Sequence, residues 1–224
     1  MSNEMIWFLF AIVNFALIVT SYKLFGRIGL IAWIAMGTIV ANIQVVKFVE
    51  LFGLTATLGN IMFGTLFLAT DTLNEKYGVK TARRSVYIGF FSLIAFLVLT
   101  QMMLWFAPVE ADMQEAMERV FGLLGRVVAG SMIAYLVSQL IDVHLFDRIK
   151  RWLSADKWLF IRNLGSTAVS QLIDSIVFVS IAFLGVVSSG VFWEIVLTTY
   201  VIKLIVAALD TPFIYAMKRI TPLQ

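Results

Sequence analysis

In a chain of 224 residues, 61% are apolar and only 14% are charged, against about 45–50% and about 25% in soluble domains, which excludes a soluble globular protein. Apolar runs of about 20 residues, rich in Phe and poor in Pro, exclude a transmembrane barrel built from short alternating segments. With no cysteine and one histidine, disulfides and thiolate metal sites are excluded, and any metal would need an all-carboxylate site. The expected fold is all-α: a single polytopic membrane helix bundle over residues 1–224, with about seven transmembrane helices.

Met5 to Tyr22 is the first apolar run, too long for a cleaved signal peptide and without its basic flank. After Lys23 and Arg27, a second run covers Ile28 to Leu51, with Asn42, Gln44, Lys47 and Glu50 in its polar outer half. Lys47 and Glu50, three apart, suit a local pair near the outer surface. The third run spans Gly53 to Asp71, where Gly59, Asn60 and Gly64 permit close helix approach. A hydrophilic stretch, Asn74 to Arg84, separates it from the fourth, Ser85 to Ala107, which carries little polarity besides Gln101 and is expected to face lipid. Pro108 closes that span, and an acidic segment with Glu110, Asp112, Glu115 and Glu118 follows. The fifth span, Val120 to Leu145, leads into a basic connector, Phe146 to Arg162, whose Trp152 and Trp158 suit the headgroup region. The sixth span is Asn163 to Val187, and the seventh, Val191 to Met217, is interrupted by Pro212.

Basic residues gather in short cytoplasmic loops. Here they follow spans one (Lys23, Arg27), three (Lys76, Lys80, Arg83, Arg84), five (Arg148, Lys150, Arg151, Lys157, Arg162) and seven (Lys218, Arg219). Seven spans with the N-terminus outside and the C-terminus inside satisfy every loop. Six spans, with the first two merged or one lying at the interface, is the alternative. The net charge of +3 then belongs to cytoplasmic loops, and no nucleic-acid partner is implied.

One hexapeptide occurs twice, as Val137-Ser138-Gln139-Leu140-Ile141-Asp142 and as Val169-Ser170-Gln171-Leu172-Ile173-Asp174. On a helix, the Ser, Gln and Asp of each copy share one broad face. Ser and Gln alone suit contacts between helices, but a carboxylate inside a membrane segment is costly enough to imply function. Asp174 lies about 16 Å along a helix from Asn163, near the midplane of a core about 30 Å thick. Lys203 reaches a similar depth from Val191, so the two are expected to pair. Ser166, Ser170 and Asp174, and Thr199 with Lys203, continue polar stripes that suit a cavity wall, and Asn42 in span two is a further cavity candidate.

Asp71, Asp142 and Asp210 form a shallower group near the cytoplasmic boundary. Either a functional role or simple pairing with Arg83, Arg84 or Arg148 accounts for them. Asp71, Asn74 and Glu75 share one helical face, and His144 reads as a satisfied interfacial histidine.

Phe67-Leu68-Ala69-Thr70-Asp71, then Ala82-Arg83-Arg84, then Gln139 to Phe146, then Val169 to Asp174 with Ala182-Phe183 beyond, resemble the queuosine precursor transporter family, also called vitamin uptake transporters. The similarity keeps this order from about Ala41 to Met217. It implies uptake of a 7-deazaguanine such as preQ0, preQ1 or queuine across the bacterial inner membrane, without enzymatic activity.

The residues suit such a substrate. A guanine-like base presents adjacent N–H donors to one carboxylate, and its carbonyl and ring nitrogens accept from Asn, Gln or Lys. The expected substrate-binding set is Asn42, Asp71, Gln139, Asp142, Gln171, Asp174 and Lys203. Asp174 is its principal carboxylate, Gln171 assists, and Asp142 or Asp71 would meet an aminomethyl cation. Phe63, Phe67 and Phe178 have the depth to stack on the base. Asp174→Asn is expected to abolish uptake at low substrate concentration with the protein still in the membrane at normal abundance.

Other readings stay open. One is a ligand-capturing membrane subunit for another small polar solute or vitamin; lacking a phosphate-binding loop, it would need an ATP-driven partner. Another is a membrane-embedded aspartyl hydrolase using Asp142 and Asp174. The expected partners are the deazaguanine-type base and the lipid bilayer, with homo-oligomerisation or an energising partner open. No cofactor or metal is expected.

Overall fold

The computed structural model describes residues 2–45, 47–52, 54–122, 125–185 and 188–223. In lipid every backbone N–H and C=O must be satisfied within the chain, so the apolar runs form long helices. The first, α1 (Asn3–Val45), is two rods joined at Gly26, whose φ of 55° and ψ of −136° break the helix between Lys23 and Arg27. The first two expected spans are therefore separate rods that turn back on each other, so that the start of the first lies beside the chain just beyond the second, away from the kink. Asn3 Nδ2 donates to the Glu50 carbonyl at 3.1 Å, whereas Leu223 N donates to the Lys23 carbonyl at 3.0 Å.

The second rod is shorter than its apolar run. Strands β1 (Phe48–Leu51) and β2 (Leu54–Thr57) form an antiparallel hairpin, with Leu51 opposite Leu54 and Phe48 opposite Thr57. Aromatic and β-branched residues flank a tight turn in which Phe52 adopts a φ of 53°. Lys47 thus lies outside any helix and Glu50 on a strand, so their helical spacing no longer applies.

Helix α2 (Gly59–Tyr77) starts later and ends later than its expected span. Only Gly78, with a φ of 84°, separates it from α3 (Val79–Leu104). The hydrophilic stretch Asn74 to Arg84 is therefore helical, because Asn74 and Glu75 find partners inside the bundle and need no water. Tyr87, Phe91, Ile94, Val98 and Leu99 on α3 are exposed, in keeping with a lipid-facing helix. The acidic segment forms the exposed helix α4 (Ala111–Met117), continued by a π-helical turn, Glu118–Gly122.

Helices α5 (Gly125–Trp152) and α6 (Leu159–Phe183) are joined by a short connector containing a 3₁₀ turn, Asp156–Trp158. The expected connector from Phe146 shrinks accordingly, and Arg162 and Asn163 lie within α6. The last helix, α7 (Ser189–Arg219), runs through Pro212 without interruption. Ile214 and Met217 beyond it are both buried, and a proline within a helix is tolerated where neighbouring helices support it.

Close approach tightens the centre. A Cβ on Gly64 of α2 would meet Val206 Cγ1 of α7 at 2.3 Å. The basic residues collect at one end, where Lys76 Nζ donates to the carbonyls of Met217 and Ile220 at 3.2 and 2.7 Å. The hairpin, Glu4 and the α3–α4 turn lie at the other end, where Phe52 N donates to Glu4 Oε1 and Gln101 Nε2 to the Phe121 carbonyl.

Candidate substrate site

Helices α5 and α6 are antiparallel, and the two hexapeptides meet face to face. Ser138 Oγ donates to Asp174 Oδ1 at 3.1 Å, and Ser170 Oγ donates to Asp142 Oδ1 at 3.0 Å. Each copy's serine thus serves the other copy's carboxyl, which makes a local two-fold relation. Gly130 allows close approach at one end of this contact, where an added Cβ would come within 3.2 Å of Ile181.

The first polar level surrounds Asp174. Lys203 Nζ of α7 donates to Asp174 Oδ2, and both side chains are buried. The pair expected from matched depth is therefore formed. Gln171, one turn earlier, is buried with an Oε1 that receives no hydrogen bond. Tyr135, which sequence reasoning missed, is buried one turn before Ser138 and accepts from Thr38 Oγ1 at 3.4 Å. Its ring lies 5.6 Å from that of Phe63. The missed signal was position, since Tyr135 extends the face of Ser138, Gln139 and Asp142 by one turn. Asn42 lies one turn beyond Thr38, to whose carbonyl it donates at 2.8 Å, and its Oδ1 is buried without a donor. Phe67 is buried one turn after Phe63, and Phe178 is half-buried one turn after Asp174.

The second level, toward the basic end, gathers Asp71 of α2, Asp142 of α5 and Asp210 of α7, all buried. The Asp71 carboxyl faces that of Asp142, with Asp210 in electrostatic reach. Asn163 Nδ2 donates to Asp210 Oδ1 at 2.6 Å, and Gln139 Oε1 accepts from Thr70 Oγ1 at 3.2 Å. Among the described residues none of these three carboxyls forms an ion pair with Arg83, Arg84 or Arg148, so the pairing alternative does not describe them. Arg83 instead contacts His144 Nε2, and His144 Nδ1 lies 2.5 Å from the Leu140 carbonyl, a satisfied histidine.

The third level closes the basic end around Glu75. Arg162 Nη2 and Lys218 Nζ donate to its Oε1 at 2.9 and 2.6 Å, and Lys150 Nζ lies 3.3 Å from Oε2. Burial acts to raise the Glu75 pKa, but the Lys218 hydrogen bond and the charges of Lys150, Arg162 and Lys218 outweigh it and hold the carboxyl below its usual range. Arg162, fully buried, also donates to the Leu153 and Ser154 carbonyls at the end of α5, at 2.8 and 3.0 Å. Asp71, Asn74 and Glu75 thus share an inward face, with Asn74 Nδ2 donating to the Val143 carbonyl at 2.8 Å.

A lipid-facing exterior around a buried ladder of polar levels defines a multi-pass helical membrane protein of the small-solute transporter class. The chain belongs to the family described as "Putative vitamin uptake transporter", which matches residues 57–217. It is 47% identical over 223 residues, covering 99% of this chain and 97% of the relative, to the "Probable queuosine precursor transporter" of Bacillus subtilis (strain 168). It is 28% identical over 132 residues, 59% of this chain and 54% of the relative, to a protein of the same name from Haemophilus influenzae. It is 25% identical over 135 residues, 60% and 58% respectively, to the "Queuosine precursor transporter" of Escherichia coli (strain K12). No solved structure shows a significant match. The resemblance read from the motifs is borne out, and the family is one of transporters, not enzymes.

Proposed function

We propose that the chain imports a queuosine precursor, a 7-deazaguanine of the preQ0, preQ1 or queuine type, across the inner membrane. The observation that carries this reading is the 47% identity over 99% of the chain to the Bacillus subtilis protein of that name. The chemistry of the first level supports it. Asp174 accepts the adjacent N–H donors of the base, Lys203 donates to its carbonyl, and Gln171 Oε1 and Asn42 Oδ1 are acceptors in need of donors. Gln139 Nε2 offers a spare donor from the level below. Phe63 and Tyr135, with Phe67 and Phe178 nearby in sequence register, supply aromatic faces for stacking.

The gathering of basic residues at one end supports placing that end in the cytoplasm, in line with seven spans and an N-terminus outside. Uptake of labelled preQ0, preQ1 and queuine into cells unable to make them, with and without this protein, tests the reading. Uptake that depends on the protein is expected for at least one of the three, and its absence for all three overturns the proposal. Uptake by liposomes holding this chain alone, without ATP, distinguishes a self-sufficient transporter from a subunit of an ATP-driven assembly.

A further inference from the structure

The two-fold relation between the repeats gives their carboxyls unlike surroundings. Asp174 has a cation in Lys203, whereas Asp142 faces a second carboxyl, Asp71, with a third, Asp210, beside it. Among the described residues no cation pairs with these three. Lys150, Arg162 and Lys218 are held by Glu75, one turn beyond Asp71 on the same helix. Helix α6 closes the fourth side with neutral Asn163, Ser166, Thr167 and Ser170. The charges that act most strongly on the Asp71 carboxyl, those of Asp142, Asp210 and Glu75, are all negative.

The level also holds more acceptors than donors. Both oxygens of Asp71, one each of Asp142 and Asp210, and Asn163 Oδ1 are buried without a hydrogen-bond donor, and Thr167 Oγ1 is unpartnered. Two carboxyls turned toward one another in a water-poor interior cannot both stay ionised, since each needs either a donor or a counter-charge. A proton supplies both the positive charge and the hydrogen-bond donor that these carboxyl oxygens lack.

We propose that the facing carboxyls of Asp71 and Asp142, with Asp210 beside them, form a proton-binding site whose protons are exchanged during transport, coupling import to proton movement. The proposal rests on the chain being a transporter and not on the identity of its base. One repeat then carries a fixed cation, Lys203, and the other a mobile one.

The substrate-free test is infrared difference spectroscopy of the purified chain in nanodiscs as the pH is raised. The wild type is expected to lose a carbonyl stretch of buried protonated carboxyl. That signal should be absent or shifted in Asp71→Asn and Asp142→Asn and retained in Asp147→Asn, whose exposed-side carboxyl bonds Arg151. Asn has the shape and a donor of a protonated Asp, so Asp71→Asn should keep the wild-type unfolding temperature, which guards against loss of signal by misfolding. In liposomes, an inward proton gradient should raise accumulation of labelled preQ1 several-fold, and an uncoupler should remove the gain. No protonated-carboxyl signal, a signal unchanged in both variants, or accumulation that follows sodium and ignores the proton gradient overturns the proposal. If no labelled deazaguanine enters at all, the base assignment fails, and the infrared result alone decides the proton site.

Discussion

Ser138 donates to Asp174 across the α5–α6 contact at 3.1 Å, and the bond is returned by the other repeat, from Ser170 to Asp142 at 3.0 Å. Identical hexapeptides therefore occupy equivalent positions, and what distinguishes them comes from a third helix: α7 through Lys203 in one case, α2 through Asp71 in the other. Removing either hydroxyl strips a buried carboxyl of a donor. Ser138→Ala and Ser170→Ala are each expected to cost about 1–3 kcal/mol. Unfolding of each variant in nanodiscs measures this, and wild-type stability in both would show the exchange to be energetically idle.

The Asp174–Lys203 pair alters what a single substitution does. Asp174→Asn leaves a buried ammonium without its anion, a loss of about 3–5 kcal/mol, so reduced abundance replaces the expectation of a normal level. The folded fraction should still lose uptake affinity by about one to two decades. Exchanging both charges, Asp174→Lys with Lys203→Asp, should recover part of the stability. A double-mutant cycle with no coupling energy would show that the pair contributes nothing.

Glu75 gives the basic end a pH dependence. Its folded pKa lies below the ordinary 4.5, so the stability it brings is complete above that value and is lost as the pH falls through the lower folded one. Glu75→Gln should cost about 3 kcal/mol or more at neutral pH, because Arg162 is left buried without its carboxylate. Unfolding midpoints followed into acid should fall more steeply for wild type than for the variant. Parallel curves would count against the assignment.

Orientation is open to a direct experiment, because the chain has no cysteine. Single cysteines at Lys80 and Trp152, both exposed at the basic end, should resist an impermeant reagent added to intact cells, whereas one at the exposed Val109 should react. The reverse pattern would invert the topology.

Gly64 tests the α2–α7 contact. Gly64→Ala places a methyl 2.3 Å from Val206 Cγ1, and such overpacking costs about 1–3 kcal/mol. Val206→Ala should restore most of that loss in the double variant, and no restoration would locate the strain elsewhere.

The helical class, the two rods of α1 and the Asp174–Lys203 pair were legible in the sequence because each rests on hydropathy, spacing or depth along one helix. The boundaries at Tyr77, Trp152 and Leu159 were not. Asn74, Glu75 and Arg162 look like loop residues until their partners on other helices are known, and those contacts join residues distant in sequence. The hairpin at Phe48–Thr57 was hidden in an apolar run that fits a strand as well as a helix. The meeting of Asp71 with Asp142 was likewise out of reach. Depth placed both carboxyls near one boundary, but only the packing of α2 against α5 turns them toward each other.

Glu75 is held by cations from α5, α6 and α7 while itself belonging to α2. A displacement that frees one of those helices from α2 strips only its own cation of the shared carboxylate, whereas a displacement of α2 strips all three at once. Withdrawal of α2 is therefore the costliest single movement at the basic end, and α5, α6 and α7 each resist it through one cation.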